Sequence, residues 1–200
     1  YHFLDALHDV IQAYEYLVTV REVDPKDIIL FGISSGGGLV MRLLQTIAEK
    51  RKEVHDLDTL SEMPAGAVLM CPFVDYTKPK GTFVEYREHD LIVNQSVCEV
   101  GVPYLKMLGG DKEQFEESPV NRIMEGLPPI CLVISEHECC YDMAITLCNR
   151  ARAAGVNVTL GVWKYMCHVF PMFSAFVPEG RQAVDFMCQW MNDHLNLNQN

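Results

Sequence analysis

The fold is decided by the stretch Ile28-Ile-Leu-Phe-Gly-Ile-Ser-Ser-Gly-Gly-Gly-Leu-Val40. Its first four residues are apolar and predict a short buried strand, and the apolar positions that recur after Gly38 predict a helix. Between them, the residues Gly32 to Gly36 match the pattern G-x-S-x-G. In this strand–turn–helix context the pattern predicts a sharp, strained turn that presents Ser34 as a nucleophile, with the backbone N–H of Ser35 facing a developing oxyanion. A glycine-rich turn without chemistry is the alternative interpretation.

Helices and strands alternate on both sides of this stretch. Apolar periodicity predicts helices over 2–20, 97–108, 141–154 and 179–195, and apolar runs predict strands over 28–31, 65–71, 130–135 and 158–163. Residues 50–63 are predicted to form a solvated loop, and the segment 73–129 is an excursion without a clean period. Continuous apolar strands separated by helices predict a single α/β domain over 1–200, with a mostly parallel sheet and helices on both faces.

Composition narrows the class of protein. The chain has 200 residues, of which 49% are hydrophobic, and this suffices for one sizeable core. A net charge of -11 argues against a nucleic-acid partner, because phosphate backbones repel an acidic surface. The eight cysteines include several in apolar runs, which predicts free thiols in a reducing, cytoplasmic compartment. No apolar run reaches the ~20 residues that a membrane-spanning helix needs.

A serine nucleophile needs a base and an orienting acid. In folds built around the G-x-S-x-G turn, the acid follows a later strand and the histidine follows the last strand. His168 comes just after the last predicted strand, and the carboxylates Glu136, Glu138 and Asp142 follow the strand that ends at Ser135. His168 is therefore the predicted base. Position alone does not choose among the three carboxylates.

Five short motifs carry a resemblance to a known family. They are Gly32 to Gly37, similar to G-D-S-A-G-G; Cys71 to Asp75, similar to S-P-W-x-D; Leu127-Pro-Pro129 before the acid strand; Ser135 to Asp142, similar to A-E-x-D-x-L-x-D; and His168-Val-Phe170, similar to H-G-F. In this order and register the chain resembles the hormone-sensitive-lipase-like branch of the α/β-hydrolases, which includes many microbial esterases and arylacetamide deacetylases.

The resemblance implies roles for individual residues. It makes Ser34 the nucleophile, His168 the base and Glu138 the acid, with Asp142 matching a second, non-catalytic aspartate. It implies a serine hydrolase that cleaves carboxylic esters of small to medium apolar acyl groups through an acyl-enzyme, without a cofactor. It also implies that the excursion 73–129 contributes to a cap over the acyl pocket.

Three residues depart from the family pattern. Glu138 stands where the family has aspartate, Ile33 replaces an acidic residue, and Val169 replaces a glycine beside the base. Two alternatives stay open, and the departures at Ile33 and Glu138 permit the first of them. One is a non-catalytic ligand-binding protein on the same fold, and the other is a lipase or peptidase of that fold.

The family also has an H-G-G-G loop and several strands ahead of the first helix, and no residue precedes Tyr1 in this sequence. We therefore expect the carboxy-terminal two-thirds of the fold, with a bare strand edge beside residues 28–31 or a second polypeptide covering it. The missing amino-terminal segment as a separate chain, or another copy of the chain in a homo-oligomer, would be such a partner.

Metal and nucleotide sites are poorly supported by spacing. His137-Glu-Cys-Cys140 with Cys167-His168 offers soft ligands, but neither C-x-x-C nor H-E-x-x-H spacing is present. The glycines 36–38 do not meet the G-x-G-x-x-G spacing, and no P-loop lysine follows them. We predict no metal and no cofactor.

Overall fold

The computed structural model describes residues 3–53, 62–77, 80–94 and 110–195. Its helices are α1 (Phe3–Thr19), α2 (Ser35–Glu53), α3 (Thr82–Glu85), α4 (Asp111–Glu117), α5 (Tyr141–Ala153) and α6 (Pro178–His194), and its strands are β1 (Ile29–Ile33), β2 (Gly66–Met70), β3 (Ile130–Ser135) and β4 (Val158–Trp163). The predicted alternation of helices and strands is confirmed. The helix predicted over 97–108 lies outside the described residues.

The four strands form one parallel sheet in the order β1-β2-β3-β4. Ile29 lies opposite Gly66, Ala67 opposite Ile130, and Ile130 opposite Val158. Because all four strands run in the same direction, their carboxyl ends meet along one edge of the sheet. Side chains that follow the strands are brought together there, as is usual for binding sites in open parallel sheets.

The two central strands are buried at every position, because helices cover both faces of the sheet. Helix α2 contacts β1 and β2, and α6 contacts β2, β3 and β4. A Cβ on Gly32 would collide with the backbone of α2, whereas a Cβ on Gly66 would lie 2.6 Å from the Trp190 ring of α6. The two helices therefore lie on opposite faces.

Strand β1 is less buried than its apolar sequence predicts. Phe31 and Ile33 are 44% and 37% exposed, and β1 pairs only with β2 among the described strands. These two side chains share a face with Ile29, opposite to Gly32, and so point away from α2. Burial of a parallel strand requires cover on both faces, and the main contacts of α6 are with the other three strands. The prediction of a bare edge agrees with the described residues, and the prediction of a fully buried strand is wrong.

Two further observations bear on the sequence-based expectations. Within the described ranges, no helix is long and apolar enough to cross a membrane. The seven cysteines that the structure describes are thiols outside any disulfide, as predicted, and Cys98 lies outside those ranges.

Helix α2 begins at Ser35, earlier than the sequence predicts, so that three glycines lie in its first turn. Glycine has a low helix propensity, which is why a sequence pattern places them in the preceding turn. Close packing accounts for one of them: a Cβ on Gly37 would lie 2.7 Å from the Cβ and 3.1 Å from the Cα of Pro72. The short distance between α2 and the chain that leaves β2 therefore requires a residue without a side chain.

A pair of glycine substitutions tests this packing. We expect Gly37→Ala to lower the free energy of unfolding by about 1–3 kcal/mol, as overpacking does. Gly36→Ala is the matched control, because a Cβ there meets nothing within 4 Å. It is expected to be neutral or to stabilise by up to about 1 kcal/mol, as removal of a helical glycine does. Equal urea midpoints for the two variants would contradict the close approach of α2 to Pro72.

Candidate active site

Ser34 lies directly after β1 in a left-handed conformation, with φ at 52°. Such a conformation in a residue other than glycine is strained by about 1–3 kcal/mol and persists only when its surroundings hold it. Here the Ser34 N–H donates to the Met70 carbonyl at 3.0 Å, and its own carbonyl accepts from the N–H groups of Phe73 at 2.9 Å and Gly37 at 3.0 Å. The turn is thus fixed by β2, by the chain after β2 and by α2.

His168 meets the serine at the edge of the sheet. It lies in the loop after β4, is 1% exposed, and its Nε2 is 2.8 Å from Ser34 Oγ. This distance meets the geometric expectation for a serine and its base. With the proton assigned to Nδ1, Nε2 is free to accept the serine proton.

Glu138 is the candidate carboxylate that contacts His168. It is fully buried, and its Oε1 lies 3.4 Å from His168 Nδ1, which is longer than the usual N–H···O hydrogen bond of about 2.7–3.2 Å. Glutamate thus reaches the position that aspartate holds in the resembled family.

The other two candidate carboxylates point elsewhere. Glu136 Oε1 lies 3.5 Å from His137 Nδ1, in a partly exposed pair. Asp142 Oδ2 accepts a hydrogen bond from the Thr82 N–H at 2.9 Å and so joins α5 to α3. Asp142 therefore has a structural contact in place of a contact with the histidine.

The electrostatics of Glu138 reflect two opposing influences. Burial raises the pKa of its carboxyl, while the hydrogen bond and the charge of His168, followed by a hydrogen bond from the Cys71 thiol, act to lower it. An ionised carboxylate in this position is therefore unfavourable by itself. It is favoured to the extent that the His168 ring carries positive charge.

Cys71 is a site residue that the sequence analysis placed only in a motif and in an apolar run. It follows β2 and is fully buried; its Sγ, a carboxylate oxygen of Glu138 and a ring nitrogen of His168 all lie within 4.8 Å of one another. Glu138 Oε2 is buried and has no hydrogen-bond partner of good geometry. The thiol is thus a weak donor beside an incompletely satisfied carboxylate. The sequence held one signal of this role. Cys71 directly follows β2, which lies between the strand that ends at the serine and the strand that ends at the acid.

The same three side chains form a set that is able to hold a metal ion. A cysteine binds metal as the thiolate, and burial, followed by the charge of Glu138, raises the pKa of the Cys71 thiol well above its ordinary value. Both His168 ring nitrogens are also engaged, one with Ser34 and one with Glu138. We therefore interpret the cluster as a hydrogen-bonded acid–base network.

Backbone strain concentrates around this network. Of five non-glycine residues with positive φ in the described residues, three are Ser34, Cys71 and Val169. Val169 has φ at 51° although it is β-branched, and it stands where the resembled family has glycine. Strain that collects in one place is typical of functional sites.

The predicted oxyanion donor lies at the start of a helix. Ser35 is the first residue of α2, and the first N–H groups of a helix have no partner within the helix. The positive end of the helix dipole is directed to the same place. This N–H is therefore positioned beside Ser34, and its role as an oxyanion donor stays a prediction.

Comparison with known proteins gives a consistent family assignment. Residues 1–172 match the model of a family with the alpha/beta hydrolase fold. The chain is 28% identical over 181 residues to an esterase of Acinetobacter venetianus, covering 90% of this chain and 55% of that protein. It is 27% identical over 184 residues to an acetyl-hydrolase of Streptomyces hygroscopicus, covering 92% of this chain and 58% of that protein.

A solved structure gives the same result at the level of the fold. The crystal structure of an esterase from the bacterial hormone-sensitive lipase family is 30% identical, with a TM-score of 0.83 over 98% of this chain and 62% of that chain. The chain thus spans between about half and two-thirds of the length of these relatives. Because the family model covers most of its residues, the chain belongs to the α/β-hydrolase-fold family. The similarity to this esterase agrees with the resemblance to the hormone-sensitive-lipase-like branch.

Proposed function

We propose that the protein is a serine hydrolase that cleaves carboxylic esters of small to medium apolar acyl groups. The observation that carries this proposal is the 2.8 Å contact between Ser34 Oγ and His168 Nε2, at a strained turn after β1. The contact of His168 Nδ1 with the buried Glu138 supports it. A serine, a histidine and a carboxylate in this mutual arrangement form the working parts of acyl transfer.

In the first half of the proposed reaction, Ser34 Oγ attacks the acyl carbonyl carbon of the ester while His168 Nε2 takes the serine proton. The carbonyl π electrons move onto oxygen, and the resulting oxyanion accepts a hydrogen bond from the Ser35 N–H. The intermediate then collapses, the bond to the alcohol oxygen breaks, and His168 returns the proton to the departing alcohol. An acyl-enzyme on Ser34 remains.

In the second half, His168 takes a proton from a water molecule, whose oxygen attacks the acyl carbon. Collapse of this second intermediate breaks the bond to Ser34 Oγ, which recovers its proton from His168. The carboxylic acid leaves. Glu138 stays ionised throughout, because its role is to orient the ring and stabilise the positive charge that His168 acquires in both halves.

We also propose that part of the excursion 73–129 covers the acyl pocket. Its described portions support this, because Thr82 contacts both Asp142 and the Cys139 carbonyl, and Asp90 contacts the backbone of Cys139 and His168. The excursion is thus attached to the acid and base loops of the site.

The substrate class rests on the named relatives. Two similar proteins carry the names esterase and acetyl-hydrolase, and the solved relative is an esterase. An ester with a short acyl chain is therefore the first substrate to test.

The exposed edge of β1 further supports the proposal that another strand pairs there, from the same chain, a separate chain or a second copy.

The histidine assignment is tested by ester turnover in the natural gene product. We expect His168→Ala to reduce hydrolysis of p-nitrophenyl acetate and butyrate by at least about 10³-fold, because the general base is lost. The matched control is His137→Ala, since that ring lies at the same edge of the sheet and contacts Tyr165, with a ring-centroid distance of 4.5 Å. Its turnover should stay within a few-fold of wild type. Equal losses in both variants, or none in His168→Ala, would reject the proposed base.

The choice of acid is tested by comparing Glu138→Gln with Asp142→Asn. Glu138→Gln should lower kcat by about 10²–10⁴-fold, because a neutral amide does not stabilise the charged histidine ring. Asp142→Asn should change kcat only a few-fold, because Asn retains an oxygen that accepts from Thr82 N–H. The reverse order would show that the acid is Asp142.

Glu138→Gln is also predicted to separate activity from stability. The raised pKa of Glu138 means that its contribution to stability is fully present below the ordinary pKa of glutamate, about 4.3, and is lost as pH rises through the higher folded-state value. At pH 8 the variant should therefore unfold at the same or a higher urea concentration than wild type, and this difference should shrink towards pH 4. A variant that is much less stable than wild type at pH 8 would contradict this account of the buried charge.

A further inference from the structure

A second buried carboxylate lies beside the proposed acid and base. Asp90 is 4% exposed and follows α3 in the excursion. Its Oδ1 accepts the backbone N–H groups of Ile92 at 2.9 Å and Val93 at 3.1 Å. These two bonds are local and organise the turn that Asp90 begins.

The same carboxylate also reaches two distant segments of the chain. Asp90 Oδ2 accepts the N–H of Cys139 at 3.3 Å and the N–H of His168 at 3.2 Å. Cys139 is the residue after Glu138, so the carboxylate holds the backbone of both the acid and the base. The Cys139 thiol donates in turn to the Val93 carbonyl at 3.2 Å, which gives a second link between the turn and the acid loop.

We propose that Asp90 is a positioning residue that sets the separation between Glu138 and His168. This inference rests on the proposed function, since it assigns a role within the same acid–base pair. Two loops that follow different strands carry the pair, and a single carboxylate fixes their backbones relative to each other. Displacement of catalytic groups by about 1 Å costs up to about 10²-fold in rate.

The negative charge of Asp90 is unfavourable for the ionisation of the neighbouring Glu138. Burial is the largest cause of the raised pKa of the Glu138 carboxyl, and the hydrogen bonds and charge of the neighbouring side chains oppose it. The charge of Asp90 raises this pKa further. Asp90 thus makes it harder for Glu138 to carry the charge that the proposed mechanism needs. A like charge beside the proposed acid is unfavourable, and a geometric role accounts for its presence.

The chemistry of the contacts explains why the residue is an aspartate. An ionised carboxylate has only acceptors, and four backbone N–H groups point at this one. In Asp90→Asn, one oxygen becomes an NH₂ group, which is a donor only. If the remaining oxygen is Oδ1, which keeps the local turn, the NH₂ faces the N–H groups of Cys139 and His168. The link to Cys139 is then lost, and His168 keeps only its longer contact of 3.4 Å with Oδ1.

The test compares Asp90→Asn, Glu138→Gln and the double variant by ester turnover in the natural gene product. We expect Asp90→Asn to lower kcat by about 10- to 100-fold, because the acid and the base are displaced relative to each other. The double variant should be no more than about two-fold slower than Glu138→Gln alone, since Asp90 acts through the pair. Asp142→Asn is the matched control, because it alters another carboxylate that accepts a backbone N–H beside the acid loop.

A readout that does not depend on turnover keeps this inference separate from the proposed function. The His168 Nδ1 proton that faces Glu138 should give a downfield NMR resonance in wild type and in Asp142→Asn, which is shifted or lost in Asp90→Asn. Absence of ester turnover in wild type would reject the proposed function alone. A wild-type resonance in Asp90→Asn, a kcat within two-fold of wild type, or rate losses that multiply in the double variant would each overturn the role of Asp90.

Discussion

The left-handed turn at Ser34 is the constraint on which the rest of this structure depends. It exists because β1 ends against α2 with no room for side chains at Gly32 and Gly37, and because β2 and the chain after it bond to both sides of the serine peptide. The strain at Ser34 is thus held by the parallel sheet and by the close approach of α2. The turn places the serine hydroxyl at the edge where the loops after β3 and β4 also arrive.

Two buried carboxylates at this edge are satisfied in different ways. Asp90 is surrounded by backbone N–H groups, whereas Glu138 has one long contact with His168, a weak thiol neighbour and a buried Oε2 of its own without a good partner. A buried charge that lacks donors is unfavourable until an opposite charge forms next to it. In the proposed reaction that charge forms on His168 in the transition state. The shortage of hydrogen-bond donors around Glu138 therefore fits its proposed role as the acid. The full set of backbone donors around Asp90 fits a positioning role.

Patterns along the chain predicted the bounds of β3 and β4. The runs 130–135 and 158–163 correspond to the observed β3 and β4, because a continuous apolar run in a parallel sheet is bounded by the polar turns on either side. The start of α2 was placed too late, because glycine opposes helix formation locally and is required here by packing that a sequence pattern does not record. The exposure of Phe31 was missed for a similar reason, since it depends on how far α6 extends across the sheet.

The candidate site was predictable where chain order alone limits the choice. Ser34 and His168 followed from their places after the first and last strands, and Glu138 was selected over its neighbours only by the family resemblance. Cys71 and Asp90 were not identified as site residues. Cys71 looks like an ordinary core residue, and Asp90 lies in a segment without periodicity and acts through backbone N–H groups. Contacts of that kind leave no pattern of side chains in a sequence.

The proposed role of Ser34 as the nucleophile is tested most directly by covalent labelling. The natural gene product is treated with a fluorophosphonate and digested with trypsin, and the peptide 27–42, which contains both Ser34 and Ser35, is fragmented in a mass spectrometer. We expect a single phosphonyl adduct on Ser34 and an unmodified Ser35. An adduct on another residue, or an unlabelled protein that still hydrolyses esters, would contradict it.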